Sequence, residues 1–142
     1  MTNETDLLQH ICQTTEMGQL GIDMILDYAD DTRFRNALCA QKTEYADLYQ
    51  SADTLLRERG EQPKSINTFA RLSSELASSL KTMRDHSQSA IADMMIQGNT
   101  KGMTKSLQYL DGYSGEATPV IDLTRKLLHT EEANIEQMKS FL

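Results

Sequence analysis

Four stretches of this chain repeat apolar residues at spacings of three and four for longer than an ordinary helix lasts. That periodicity restricts what the chain can fold into more than any other feature. The first stretch runs Leu8, Ile11, Thr15, Gly18, Ile22, Ile25 and Ala29. The second gives Phe34, Leu38, Gln41, Tyr45, Leu48, Ala52 and Leu55, and the third Phe69, Ser73, Leu76, Leu80, Met83, Ser87, Ala90 and Met94. The last gives Ile121, Thr124, Leu128, Glu131, Ile135, Met138 and Leu142. Such spacing aligns side chains along one face of an α-helix, and no period-two alternation competes with it. Each stripe implies a helix of about 25 to 30 residues, against a usual 11 or 12.

The breaks between stripes carry helix-end chemistry. In "DYADDTRF", Asp30 and Asp31 make a tight break and an N-cap. "RERGEQPKS" offers Gly60 as the residue just past a helix, Pro63 beyond it and Ser65 to cap the next. Gly98 and Gly102 in "QGNTKGM" interrupt the third helix, "SLQYLDGY" then allows a short extra helix, and Thr118 with Pro119 supplies an N-cap and first-turn pair for the last. Short loops between long helices favour antiparallel neighbours. The expected fold is all-α: an antiparallel up-down-up-down four-helix bundle, with the short extra helix between the third and fourth long ones. It forms one domain over residues 1–142.

Size and charge narrow the function. The 142 residues, 39% hydrophobic and 25% charged, suffice for one domain with a real core. Fourteen Lys and Arg against 21 Asp and Glu leave a net charge of −7, which repels phosphate backbones and anionic lipid. The chain has no apolar run of membrane-spanning length and no signal-peptide core after its first residues, so the expectation is a cytoplasmic protein bound to neither membrane nor nucleic acid. Cys12 and Cys39 show no metal spacing and read as small apolar side chains.

At mid-height the stripes lose their apolar character. Stacking the helices by their turns brings Thr15, Gln41, Ser87 and Glu131 to one level, beside Gly18. Buried polar side chains of this kind either hydrogen-bond to one another and set helix register or line a pocket in the bundle core. A lone buried carboxylate costs several kcal/mol unless paired or protonated, so Glu131 needs a partner under either reading. Gly18 and Gly21 cost the first helix roughly 1 kcal/mol each against Ala, which suggests close helix approach or room for a ligand.

Four long helices, an extension after the third, and the ending "EEANIEQMKSFL" resemble the ferritin-like superfamily, in particular its small uncharacterised bacterial members. The resemblance implies a bundle whose helices supply a Glu from two and a Glu-x-x-His turn from the other two to a di-iron centre. Matched residue by residue, the last helix offers Glu131 with Asn134 at the His position. The second offers Gln41 or Lys42 and then Glu44 or Tyr45, the first Glu16, and the third Ser87 beside His86. Those residues fall short of four carboxylates and two imidazoles. What carries over is the fold rather than a reaction. A single iron, manganese or zinc ion held by Glu131, Glu44 and Glu16 is the reduced version of such a site.

The histidines add little. His10 follows Asp6 by four residues and His129 precedes Glu132 by three, which reads as surface pairs along a helix. A phosphorelay transfer domain is also a four-helix bundle with an exposed His, but Gln13 and Thr14 stand where that family places Lys and Gly. "GNTKGM" lacks the strand and spacing of a phosphate loop. Met94 and Met95 read as core filler, or with Tyr109 and Tyr113 as the lining of a partner groove. The leading expectation is therefore a ferritin-like bundle without a complete di-iron site and without catalysis. It would act through helix-face association, as a homodimer or with another protein partner. The alternative is a metal-binding or redox protein with a reduced mid-bundle carboxylate site.

Overall fold

In a computed structural model, which describes residues 2–64 and 67–142, the chain is all-α. The side chains of Asn67, Thr68, Phe69 and Leu72 lie outside this description, as does the Ser65 cap. Five helices follow in order: α1 (Glu4–Leu26), α2 (Thr32–Glu58), α3 (Asn67–Thr82), α4 (Gln88–Asp111) and α5 (Thr118–Lys139). Among the described residues there is no strand, only an isolated bridge between Thr2 and Tyr113. No helix is long and apolar enough to cross a membrane, among those described.

The breaks on either side of α2 form as the sequence suggests. Asp31 accepts a hydrogen bond from Phe34 N at 2.8 Å, capping α2. Arg35 Nη1 donates to the carbonyls of Leu26 and Ala29, satisfying acceptors that the end of α1 would leave bare. After α2, Gly60 takes φ 72°, the left-handed turn that favours glycine. The buried Gln9 then ties the following segment to α1, donating to Gln62 O and accepting from Lys64 N, both at 2.8 Å.

The third stripe is where the structure corrects the sequence reading. One long helix from Phe69 through Met94 does not form; the chain leaves α3 after Thr82 and starts α4 at Gln88. The reason is local. Ser87 adopts an extended backbone and its hydroxyl accepts from Ala90 N, while its own N–H donates to Asp85 Oδ1 at 2.8 Å. His86 stacks on Tyr28 and hydrogen-bonds the carbonyl of Leu80, holding the break against α1 and α3. Gly98 and Gly102 do not interrupt anything: α4 runs through both, and no separate short helix precedes the last loop. Thr118 likewise opens α5 as its first residue, with Ala117 at the cap position and no side-chain cap.

The helices pack as a bundle in which α1 lies most extensively on α2 and α4 on α5, with α3 set chiefly against α1. The start of α1 sits beside the end of α2, where Arg59 Nε donates to Glu4 Oε2, and beside the end of α4, where Thr2 N donates to Gly112 O. The core is Leu7, Leu8, Ile11, Phe34, Leu38, Leu48, Ile91, Leu127 and Met138, each essentially without solvent exposure. Cys12 belongs to this core while Cys39 is exposed, so only the first is a packed apolar side chain.

Candidate functional site

A cleft of about 430 Å³ opens between α1 and α4, within the usual size of small-molecule sites. Its levels are marked by contacts across it. At one end His10 Nε2 and Ser106 Oγ share a hydrogen bond at 2.7 Å, and the His10 ring stacks on Tyr109 with centroids 4.6 Å apart. In the middle Tyr45 OH donates to Asn99 Oδ1 at 2.8 Å. At the other end Leu76 from α3 approaches Gly21, and Ile22, Ile25, Met94 and Met95 make the wall apolar.

Glycines make this arrangement fit. A Cβ on Gly18 would stand 2.7 Å from the Tyr45 ring, so that ring lies flat on α1 only because residue 18 has no side chain. On the opposite wall a Cβ on Gly102 would come within 2.6 Å of Glu131 Oε1. The Glu131 carboxyl therefore rests on the backbone of α4 and lines the cleft from α5.

Glu131 is 1% exposed, and its Oε2 has no hydrogen-bond partner among the described residues. Burial pushes its pKa up to about 8, so at neutral pH the group is a carboxylic acid rather than a carboxylate. Burial, followed by the nearby Lys105, lowers His10 to about 4 and keeps its imidazole neutral. Burial also raises Tyr45 well above the usual phenol range. The Asn134 side chain lies close enough to oppose that shift, and the Glu131 charge would add to it. The buried nitrogen Asn99 Nδ2 has no hydrogen-bond partner among the described residues. The polar middle of the cleft is thus uncharged at neutral pH, and its formal charges are Lys101 and Lys105 on α4.

The residues singled out from sequence divide accordingly. Thr15, Gln41 and Glu131 are buried, but they do not form one connected layer. Thr15 Oγ1 donates to Ile11 O in its own helix, and Gln41 Nε2 donates to Gln137 Oε1 at 2.8 Å. Ser87 is exposed at the α4 cap and belongs to no core layer. Glu16 is half-buried on α1, where its charge adds to burial in raising Tyr49 and, with burial and Asp53, in raising Cys12. Glu44 is exposed in a shallow groove lined by Asp122, Arg125 and His129. Glu16 is half-buried, Glu44 exposed and Glu131 buried, and no group of three or more His, Cys, Asp or Glu side chains among the described residues is placed to hold a metal ion. The described side chains do not fit a di-iron centre: opposite Glu131, α4 presents Asn99 and Gly102 rather than Glu or His.

His10 corrects the surface-pair reading. It is 5% exposed because α4 covers it, Ser106 Oγ hydrogen-bonding its Nε2 and Tyr109 stacking on its ring, while Asp6 is engaged with Asn3 in a reciprocal cap. His129 and Glu132 do lie on the surface, 3.9 Å apart. Asn99, Ser106 and the two cleft lysines had no signal in the stripe pattern.

No family model matches the chain, and no curated protein matches it in sequence. Solved structures do share its fold. A DUF305 fragment from Deinococcus radiodurans superposes with a TM-score of 0.77 at 16% identity, over 98% of this chain and 95% of that one. YcfI from Rhodopseudomonas palustris gives 0.59 at 13% identity, over 100% of this chain and 96% of its own. At these identities the likeness is one of fold alone.

Proposed function

We propose that this chain is a ferritin-like, up-down-up-down bundle that lacks a di-iron centre and serves as a non-catalytic binding protein for a small amphipathic molecule. The carrying observation is the α1–α4 cleft, apolar at its α3 end and lined at mid-height by a buried carboxyl without a partner. Unpaired buried polar atoms cost about 1–3 kcal/mol each, so a ligand that supplies partners recovers free energy the empty cleft forgoes. The Ser106–His10 contact at one end has the distance of a nucleophile–base pair, but Ser106 is fully buried and burial leaves His10 a weak base, which favours binding over a reaction.

Gly98 provides the test, because a Cβ there meets nothing within 4 Å and a longer side chain projects over the cleft without a clash at its root. Calorimetric titration with decanol should show saturable binding to the natural chain and none to a correctly folded Gly98→Leu variant. Equal binding by both would remove the cleft as the site.

Helix-face association with a second copy is the second reading. The observation in its favour is Leu107, a large hydrophobic 52% exposed on α4.

A further inference from the structure

The cleft's unmatched groups are specific enough to choose among ligand head groups. The Asn99 amide is oriented by Tyr45, whose hydroxyl donates to Oδ1 and so turns Nδ2 into an unused donor. Lys101 and Lys105, one helical turn apart, line the same wall, and neither forms an ion pair among the described residues although the chain carries 21 acidic side chains. Glu131 adds a carboxyl group with an unpartnered oxygen.

We infer that the occupant is an aliphatic carboxylic acid, its carboxylate held by Asn99, Glu131 and the two lysines and its tail lying toward Leu76. This rests on the binding reading above. A carboxylate offers acceptors to the amide, to the lysines and to the acid proton of Glu131 together. An ammonium head offers only donors, meets one acceptor in Glu131 and faces two like charges. A neutral hydroxyl pairs with Glu131 or Asn99 but leaves the lysines unused. The apolar end, with Ile22, Ile25, Met95 and Leu76 in its lining, takes the tail.

The other ionisable groups lining the cleft do not oppose this. His10 on α1 is held neutral by burial, and Tyr45 on α2 is held as the phenol.

The test is a titration at pH 7 with decanoate, decanol and decylamine, each below its micelle concentration. It is made against the natural chain, the Lys101→Met/Lys105→Met pair and Gly98→Leu. Decanoate should bind at least tenfold tighter than decanol and decylamine more weakly than either. The double lysine change, at exposed positions that leave the core untouched, should reduce the advantage of decanoate over decanol to less than threefold and leave decanol binding as it was. Decylamine binding tightest would overturn the head-group assignment and leave the cleft as a cation site built on Glu131. Decanol matching decanoate in the natural chain would also overturn the assignment while leaving the binding reading intact. If none of the three binds, both fail.

Discussion

Glu131 places an ionisable group where its charged form is solvated by neither water nor a counter-ion, and the consequence is a pH signature. Its pKa rises from 4.5 to about 8 on folding, so the folded chain holds a proton that the unfolded chain has released. The associated stability is fully present below pH 4.5 and is lost as pH rises toward 8, at about 1.4 kcal/mol per pH unit where the two states differ by a full proton. His10 acts in the opposite sense: lowered from 6.5 to about 4, it favours folding as pH rises across that interval. The two offset each other up to about pH 6.5, and beyond it the fall due to Glu131 stands alone. Urea midpoints of the natural chain and Glu131→Gln should therefore separate between pH 6.5 and 8, in favour of Gln. A gap that stays constant over this range would show that Glu131 is already ionised in the folded chain. The inward position of Glu131 was legible because the last stripe has no break before it. His10 was not, since Asp6 four residues earlier offers an ordinary helical pair and nothing in the sequence shows that Asp6 is already engaged with Asn3.

At the scale of elements, α1 and α4 each carry glycines in their interiors, and propensity alone would have both replaced by alanine with a gain. Packing separates them. Gly18→Ala drives a Cβ into the face of the buried Tyr45 ring, an overpacking that should cost about 1–3 kcal/mol. Gly98→Ala meets open space in mid-helix and should stabilise by about 0.5–1 kcal/mol. Thermal denaturation of the two single variants checks this, and equal shifts would mean that Tyr45 does not lie against α1. The break between α3 and α4 explains why one wall of the cleft escaped the sequence. Extending the third stripe across Met83–Ser87 carries its phase through residues that are not helical. The register beyond is then off: Ser87 is placed inward although it is exposed, the fully buried Ile91 and Ala92 are passed over, and Asn99, Gly102 and Ser106 have no place. The capping signal of Ser87 was present, but a stripe that appeared continuous outweighed it.

For the whole molecule, the helix content, the two turns around α2 and most of the core could be read from periodicity and caps, because both are local. The cleft could not, since its lining draws on all five helices and no single stripe shows which positions meet. Association is a separate property at this scale. If Leu107 marks a seam between two copies, sedimentation should give a mass that falls toward the monomer on dilution and a weaker association for Leu107→Lys. A monomer at every concentration removes the dimer. If the cleft binds a ligand as proposed, ligand supply enters the folding balance. A binder whose interior is finished by its ligand is stabilised by RT ln(1 + [L]/Kd), about 2.7 kcal/mol when the free ligand stands at a hundred times Kd. That is a substantial part of the 5–15 kcal/mol that keeps an ordinary domain folded. In a cell, the abundance of such a protein would follow the supply of what it binds, so that starvation for the ligand is read out as turnover of the chain without any dedicated sensor.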